Sequence, residues 1–199
     1  MIPLVLASGN SGKAREFRAA LGDFVQLSLI VDHVPNFAVV EDGATFHENA
    51  RIKAEAACEM TGLPALADDS GLCVYYLGGE PGVHSARFAG EGAGDESNNL
   101  LLRQRMQSAR GKTGAHFTSA LCLKLPGQPP RFATGKVFGT ILAEPRGDNG
   151  FGYDPLFQVF GEDRTLAEMS VAEKNMISHR GLALGEMATI IREVFGGDI

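Results

Sequence analysis

The chain has 199 residues, a length that corresponds to one domain of ordinary size. Its composition, 44% hydrophobic and 21% charged, is typical of a folded globular protein and excludes a disordered chain. The net charge of −6 argues against a protein that binds nucleic acid through many phosphate contacts, whereas a small phosphorylated ligand needs only a few local cations.

The cysteines and the first residues indicate the compartment. Cys58, Cys73 and Cys122 are widely spaced and include no Cys-x-x-Cys pair, which favours free thiols in a reducing compartment over a zinc site or a disulfide framework. The apolar run Ile2–Ala7 is too short for a signal sequence or a membrane span. We therefore expect a single cytoplasmic domain over residues 1–199 that contacts no membrane.

Hydrophobic periodicity and turn residues predict a chain in which strands and helices are mixed. The predicted elements in chain order are a strand over Ile2–Ala7, a helix over about Lys13–Leu21, a strand over Val25–Val31, a helix from Thr45 to about Thr61, strands over Ala65–Ala67 and Leu72–Leu77, a helix over about Asn98–Ala109, a hairpin of His116–Leu125 with Arg131–Ala143, and a last helix over about His179–Phe195. The class is therefore α/β with a mixed sheet.

Helix starts and loops complete this interpretation. Capping boxes are predicted at Thr45–Glu48 and Ser170–Glu173, and Asp95 or Ser97 is expected to cap the helix over about Asn98–Ala109. Residues 78–94 contain six glycines and form a long loop, a feature that in compact domains is usually functional or mobile. Residues 146–154 form a second glycine-rich loop.

The turn Ser8–Lys13 is the first candidate for chemistry. A strand, a glycine-rich turn and a helix together present backbone N–H groups and a helix dipole, which is how many folds bind phosphate. The sequence is not a Walker A loop, because Gly9 and Gly12 are too close and Ala14 replaces the metal-binding hydroxyl residue. A plain strand-to-helix turn is the alternative interpretation.

Acidic residues form the second candidate. Asp68 and Asp69 follow a predicted strand, and neighbouring carboxylates repel each other unless a cation or hydrogen bonds compensate. Mg²⁺ takes one or two carboxylates together with phosphate oxygens, so these aspartates with Glu41 are candidate metal ligands. A solvated turn is an equally good interpretation of the spacing, because Asp is a common turn residue.

Two further groups are weaker when taken singly. Asn49 and Lys53 share a helix face, so Lys53 is either a phosphate ligand or an exposed lysine. The segment Phe151–Pro155 offers an aromatic ring for stacking on a base, and Ser178–Gly181 lies at a helix start with free N–H groups. An aromatic covering the core rim and an exposed helix start are the alternatives.

Three other classes of enzyme lack their motifs. The five histidines form no His-x-x-x-His or His-Glu-x-x-His pattern, which argues against a zinc hydrolase. No Gly-x-Ser-x-Gly or Cys–His pairing supports an acyl-transfer nucleophile. The Gly90–Gly92 segment lacks the strand–turn–helix context of a dinucleotide fold.

Taken together, the motifs resemble the inosine triphosphate pyrophosphatase family. The matching stretches, in family order and over nearly the whole chain, are Ser8–Lys13, Glu41–Lys53, Ala67–Leu72, Pro81–Gly90, Glu144–Phe157 and Ser178–Gly181. His84 departs from the family pattern, in which an aromatic such as Tyr is expected, and residues 95–135 match only in pattern.

The resemblance implies a fold and a reaction. The fold is an elongated mixed β-sheet flanked by helices, with two lobes, a nucleotide cleft between them, and a homodimeric assembly. The reaction is cleavage of deaminated purine nucleoside triphosphates (ITP, dITP, XTP) between the α- and β-phosphates, which gives a nucleoside monophosphate and pyrophosphate. A nucleotide-binding protein without turnover, and a pyrophosphatase for pyrimidine or modified bases, are the alternatives.

The resemblance also implies residue roles. Asp69 is the expected general base and a metal-linked carboxylate, and Glu41 and Asp68 are expected to hold Mg²⁺ directly or through water. The expected substrate-binding residues are Ser8, Gly9, Asn10, Ser11, Gly12, Lys13, Lys53, Ser70, Phe151, Gly152, Tyr153, Asp154, Lys174, Ser178, His179 and Arg180. Of these, the turn with Lys13, Lys53 and Lys174 would hold the triphosphate, Ser70 would contact substrate nearby, and Phe151–Asp154 with Ser178–Arg180 would form the base pocket.

Overall fold

A six-stranded mixed sheet organises the chain in the computed structural model, which describes residues 1–196 and, within them, every side chain except that of Asp23. The strands are β1 (Ile2–Leu6), β2 (Val25–Leu29), β3 (Ala65–Val74), β4 (Gly114–Lys124), β5 (Arg131–Ile141) and β6 (Phe157–Val159), in the spatial order β2-β1-β3-β4-β5-β6. Strands β1, β2 and β3 are parallel, and the pairs β3–β4, β4–β5 and β5–β6 are antiparallel.

In the part of the chain that the structure describes, six α-helices surround the sheet. They are α1 (Ser11–Leu21), α2 (Ile30–His33), α3 (Phe46–Thr61), α4 (Asp95–Met106), α5 (Val171–Ile177) and α6 (His179–Phe195). Helices α3 and α6 both pack on the sheet, and β3 lies in its centre with nearly every residue buried. The α/β class and the mixed sheet are therefore confirmed, while the two-lobed shape stays a prediction.

Glycine in β5 determines how closely α6 approaches the sheet. Alternate residues of β5 are buried, and a side chain at Gly135 would collide with the backbone of His179 and Ala183. The first turn of α6 therefore rests directly on the sheet, which fixes His179 and its neighbour Arg180 at the sheet surface. This contact positions one wall of the site described below.

Several predicted boundaries are confirmed. Strand β1, helix α3 with its Thr45–Glu48 capping box, the β4–β5 hairpin and helix α6 lie within a few residues of their expected positions. Helix α1 begins at Ser11, two residues before the predicted Lys13, because Asn10 caps it. Ser170 and Glu173 form the second expected capping box, which opens α5.

Other predictions are wrong. Residues 65–67 and 72–77 are not two strands with an acidic turn between them, because β3 runs without interruption through Asp68 and Asp69. Strand β2 ends at Leu29 instead of the predicted Val31, because α2 begins at Ile30. Helix α4 begins at Asp95 with Gly94 at its cap, so neither Asp95 nor Ser97 caps it. Strand β6 was not predicted, because three residues give too short a pattern.

Two features concern the whole chain. Within residues 1–196, no helix is both long and apolar enough to cross a membrane. The expectation of a single domain over residues 1–199 stays a prediction, and its last three residues lie outside the described part of the chain.

Candidate active site

A cleft of about 430 Å³ gathers most of the predicted site residues. Its volume lies in the range of small-ligand pockets, roughly 300–1,000 Å³. Its walls come from the turn after β1, the loop 37–41, helix α3, the middle of β3, the turn 83–87, helix α4, the loop 151–154 and the start of α6. The predicted residues that line it are Ser8, Gly9, Asn10, Lys13, Glu41, Lys53, Asp69, Ser70, Phe151, Gly152, Tyr153, Asp154, His179 and Arg180.

The remaining predicted residues lie behind or beside this lining. Asp68, Lys174 and Ser178 are buried, and Ser11 and Gly12 belong to the first turn of α1. A side chain at Gly12 would collide with the Phe151 ring, so the turn and the base-pocket loop touch at this position. The structure therefore brings all the predicted segments together, while the roles of their residues stay predictions.

The turn Ser8–Lys13 is held in shape by its own side chains. The Lys13 N–H donates to Asn10 Oδ1 at 3.0 Å, and the Asn10 N–H donates to Ser8 Oγ at 3.2 Å. Asn10 is thus the N-cap of α1, whose first N–H groups have no partner within the helix. A helix start facing a cleft suits an anionic group.

Asp69 and Glu41 converge on one ammonium group. Lys53 Nζ lies 2.9 Å from Asp69 Oδ1 and 2.7 Å from Glu41 Oε2, and Asn49 Nδ2 donates to Asp69 Oδ2 at 3.3 Å. Burial raises the pKa of Asp69, and Lys53 offsets this effect only in part. Burial acts to lower the pKa of Lys53, but Asp69 and Glu41 outweigh it and raise that pKa. Lys53 is buried, so the interpretation as an exposed lysine is wrong.

Asp68 has the opposite environment. Its Oδ2 meets Lys13 Nζ at 2.7 Å and Arg180 at 3.1–3.2 Å, and its Oδ1 accepts from Ser119 Oγ at 2.6 Å. Although burial opposes ionisation, Arg180 and Lys13 hold the pKa of Asp68 well below its usual range. Asp68 is therefore an ionised, fully engaged carboxylate, and the solvated-turn interpretation of the acidic pair is wrong.

Glu16 extends this chain of charges and was missed by the sequence reasoning. It is 3% exposed, and its two oxygens meet Arg180 Nη1 at 2.5 Å and Lys174 Nζ at 2.6 Å. Lys174 Nζ also meets Asp154 Oδ2 at 2.6 Å. Glu16 lies on the apolar face of α1 among buried residues, and a glutamate at a core position is the signal that could have revealed it.

The base-pocket loop lies over these cations. The Phe151 ring has Lys174 Nζ at 4.8 Å and the Arg180 guanidinium carbon at 5.3 Å from its centre. This places Lys174 with the base-pocket loop, while its expected contact with a triphosphate stays a prediction. Phe117, which was not predicted, also lines the cleft and stacks on the His179 ring at 4.6 Å between centres.

His179 enters the cleft as a neutral ring. Burial, with the neighbouring Arg180 charge, holds its pKa well below the usual range. Its Nδ1 is buried and has no hydrogen-bond partner in the described structure. Ser178 caps α6 by accepting from the Gly181 N–H at 3.1 Å, which fixes the orientation of this helix start. A neutral imidazole can donate to or accept from a ligand, depending on its tautomer.

The carboxylates also allow a test of the expected metal. Within residues 1–196, no group of three His, Cys, Asp or Glu side chains is placed to enclose a metal ion. Glu41 and Asp69 nevertheless direct two oxygens onto one positive charge at the cleft wall. Mg²⁺ commonly binds through one or two carboxylates, completing its coordination with water and phosphate oxygens, so this pair fits the ion. Asp68 is already saturated with donors, and its expected metal contact stays a prediction.

Comparison with known proteins agrees with this arrangement. The family model described as Ham1 family matches residues 4–190. The chain belongs to the Ham1 family. A relative in Streptomyces avermitilis, named dITP/XTP pyrophosphatase, is 48% identical over 200 residues, which cover 98% of this chain and 100% of that protein. A second relative, from Thermus thermophilus and with the same name, is 48% identical over an alignment that covers 91% of this chain and 87% of that protein.

Solved structures of Ham1 proteins share the fold. The Ham1 protein of Staphylococcus aureus superposes with a TM-score of 0.86 at 37% identity, covering 96% of this chain and 99% of that chain. The HAM1 protein of Coxiella burnetii gives a TM-score of 0.86 at 41% identity, covering 97% of this chain and 100% of that one. The resemblance seen in the motifs is therefore confirmed at the level of family and fold.

Proposed function

We propose that this chain hydrolyses deaminated purine nucleoside triphosphates (ITP, dITP and XTP) to the nucleoside monophosphate and pyrophosphate, with Mg²⁺ as cofactor. The observation that carries the proposal is Asp69, a carboxylate of raised pKa that faces the cleft beside the phosphate-type turn Ser8–Lys13. The Ham1 relatives named dITP/XTP pyrophosphatase support the reaction class. This reaction would remove aberrant precursors from the nucleotide pool.

Asp69 would act as the general base. A carboxylate accepts a proton from water most efficiently when its pKa approaches the working pH, and burial moves Asp69 in that direction. The water oxygen then bonds to the α-phosphorus, the bond from that phosphorus to the bridging oxygen breaks, and pyrophosphate leaves with the electron pair. Lys53 and Asn49 hold the Asp69 carboxylate in position through one contact to each oxygen.

The triphosphate would lie along the turn Ser8–Lys13. Its backbone N–H groups and the Lys13 and Lys53 ammonium groups provide donors at this wall of the cleft. Glu41 and Asp69 are the residues that would hold Mg²⁺, which when bound neutralises charge on phosphate oxygens. Both carboxylates are already oriented by Lys53, so the site is organised before any ligand arrives.

The base would lie against Phe151 beside His179 and Arg180. Hypoxanthine and xanthine carry an acceptor oxygen at position 6, where adenine carries a donor amine. A buried donor at this position is satisfied by the oxo base and is opposed by the amine, and sites of this kind discriminate by about 10⁴–10⁵. Guanine shares the oxo group, so its rejection has to depend on the 2-amino group.

Assembly and compartment complete the proposal. We infer a cytoplasmic homodimer from the family resemblance, and sedimentation of the purified chain would measure its oligomeric state. Large exposed apolar side chains on the sheet and its loops, such as Tyr75, Phe132 and Phe138, offer surface for such a contact. Monomeric sedimentation at micromolar concentration would contradict this assembly without affecting the reaction.

The direct test is pyrophosphate release from ITP, with ATP and GTP as controls, in the presence and absence of Mg²⁺. Mg²⁺-dependent release from ITP alone is the expected result. Equal release from all three nucleotides would leave the phosphate chemistry intact and overturn the account of the base pocket. No release from ITP, dITP or XTP, with nucleotide still bound, would show a binding protein instead of an enzyme.

A further inference from the structure

The cleft carries too little positive charge for the substrate proposed above. Apart from Arg87, which is discussed below, four cationic side chains are described in the cleft or directly behind it. They are Lys13, Lys53, Lys174 and Arg180. They face six carboxylates, those of Glu16, Glu41, Asp68, Asp69, Asp95 and Asp154. A divalent cation would only balance this excess, while a nucleoside triphosphate brings several further negative charges.

All four of these cations are already engaged by carboxylates. Lys53 bridges Glu41 and Asp69, and Lys13 meets Asp68. Lys174 and Arg180 share the buried carboxylates of Glu16, Asp68 and Asp154. Lys174 and Arg180 are only 3% and 2% exposed. Their positive charges are therefore largely neutralised by the carboxylates of the site itself. Binding the phosphates at the cleft mouth requires a further cation that is not paired with a buried carboxylate.

Arg87 is such a cation. It lines the cleft from the turn between β3 and α4, and a third of its side chain is exposed. Within the described part of the chain, its one ion pair is with Glu91 at 3.4 Å, and that glutamate side chain is 89% exposed. Exposed pairs of this kind contribute little, so a phosphate can replace Glu91 at small cost.

The turn that carries Arg87 is braced on three sides. Buried Asn98 of α4 donates to Ala86 O at 3.2 Å and accepts from the Ala89 N–H at 2.8 Å, one bond on each side of Arg87. Ser85 Oγ accepts from the Leu72 N–H of β3 at 2.9 Å. The Tyr153 hydroxyl donates to the Ser85 carbonyl at 2.8 Å, which links this turn to the base-pocket loop.

These hydrogen bonds fix the backbone, while the Arg87 side chain pairs only with the exposed Glu91 among the described residues. A pre-positioned backbone lowers the entropy that is lost when the side chain binds an anion. Guanidinium also matches phosphate oxygens in a two-pronged geometry. In ITP, the hypoxanthine base is neutral at pH 7 and the negative charge lies on the phosphates, so the phosphates are the part of this substrate that Arg87 can recognise.

We propose that Arg87 binds the β- and γ-phosphates, the part of the substrate that leaves as pyrophosphate. The α-phosphorus is the atom attacked beside Asp69, and Lys13 and Lys53 meet the triphosphate while still paired with carboxylates. The distal phosphates are therefore the part of the substrate that needs a further cation. This proposal rests on the proposed function, since it names a further substrate-binding residue of the same site.

The test compares the wild type with Arg87→Gln and Arg87→Lys in Mg²⁺-dependent hydrolysis of ITP. Losing a charge-assisted hydrogen bond pair should lower kcat/KM about tenfold to a hundredfold in Arg87→Gln, and Arg87→Lys should recover part of it. Inhibition by pyrophosphate should weaken about tenfold in Arg87→Gln, whereas inhibition by IMP should stay within about twofold of the wild type.

Arg105→Gln is the matched control, because Arg105 is exposed on α4, pairs with Glu80 and lies outside the cleft lining. It should leave kcat/KM and both inhibition constants unchanged. Unchanged kcat/KM in Arg87→Gln would overturn the proposal. So would an equal loss of pyrophosphate and IMP inhibition together with a lower melting temperature, since that pattern indicates a structural role.

The outcome is separable from that of the proposed function. If the wild type hydrolyses no nucleotide, the reaction is wrong, and calorimetric titration of pyrophosphate with Mg²⁺ into the wild type and Arg87→Gln still tests Arg87. Weaker pyrophosphate binding in the variant would support its role, and equal binding would contradict it. If Arg87→Gln fails to fold, the same two measurements on Arg87→Lys decide, because a lysine keeps the charge and loses the two-pronged contact.

Discussion

Neighbouring residues of one strand perform different tasks in this site. Successive side chains of a strand point to opposite faces, so Asp68 and Asp69 of β3 enter different surroundings. Asp68 is held ionised by Arg180 and Lys13, while burial raises the pKa of Asp69. One carboxylate is thus a fixed charge that organises cations, and the other is suited to proton transfer.

Replacing Asp69 by Asn should abolish turnover and leave the fold intact. The amide keeps the shape and can still contact Lys53, but it cannot take a proton from water, and a lost general base typically costs about 10²–10⁴-fold in rate. Pyrophosphate release and far-UV circular dichroism together measure this outcome. Asp42→Asn, an exposed aspartate beside Glu41, is the control and should retain activity. Full activity in Asp69→Asn would remove Asp69 from the role of base.

Glu16→Gln should weaken both the fold and substrate binding. The change removes a buried charge from between Arg180 and Lys174, and breaking a buried ion pair commonly costs about 3–5 kcal/mol. Because those two cations support the Phe151 loop, KM for ITP should rise more than kcat falls. Urea unfolding and steady-state kinetics measure the two effects. Glu59→Gln, on the exposed face of α3, should change neither, and unaltered stability in Glu16→Gln would contradict the assignment.

At the scale of elements, sequence patterns predicted most of the fold and misplaced the acidic segment. Capping boxes, glycine stops and apolar runs identified α3, α6 and the β4–β5 hairpin, because these signals are local. The pattern split β3 at Asp68 and Asp69, since adjacent carboxylates are typical of turns. They are tolerated inside a strand because Lys13, Lys53 and Arg180 reach them from three different helices.

Helix α4 and the base-pocket loop form a second contact that local patterns could not predict. Asn99 Nδ2 donates to the Gly152 carbonyl at 2.9 Å, and Asp95 Oδ2 accepts from the Gly152 N–H at 2.6 Å. Both backbone groups of one glycine are therefore held by side chains of the first turns of α4. Gly152 has a φ of 62°, a left-handed backbone conformation that favours glycine over other residues. The loop conformation therefore depends on glycine at this position as well as on the two hydrogen bonds.

Asn99→Ala should therefore loosen the loop and raise KM for ITP. Loss of one hydrogen bond of about 1 kcal/mol corresponds to a roughly fivefold change in an equilibrium constant. The increase in KM should exceed any decrease in kcat, because the residue contacts the loop and not the reacting phosphate. Glu96→Gln, an exposed neighbour on α4, provides the comparison in the same assay. A fall in kcat at constant KM would argue against a role in holding the loop.

At the scale of the whole molecule, buried cations and carboxylates from segments far apart in the sequence alternate within the candidate site. Arg180 and Glu16 are 164 residues apart, and the sequence around neither residue indicates that they pair. The family resemblance therefore predicted Arg180 and Lys174 as site residues, but the carboxylate that contacts both of them became apparent only in the folded chain. The same alternation makes the stability of the protein depend on pH.

The folded state should lose stability in acid through Asp68. Its pKa in the folded chain lies well below the usual 3.8, despite burial, because of Arg180 and Lys13. The stabilisation is therefore complete above about pH 3.8, the value of the unfolded chain, and is lost as the pH falls through the lower folded value. Between these two values, this group alone should reduce the free energy of unfolding by about 1.4 kcal/mol per pH unit. Asp68→Asn lacks the ionisable group, so its stability should depend less steeply on pH in this range. Urea unfolding of both proteins from pH 7 to pH 3 measures the difference, and parallel pH profiles below 3.8 would contradict the ionised state of Asp68.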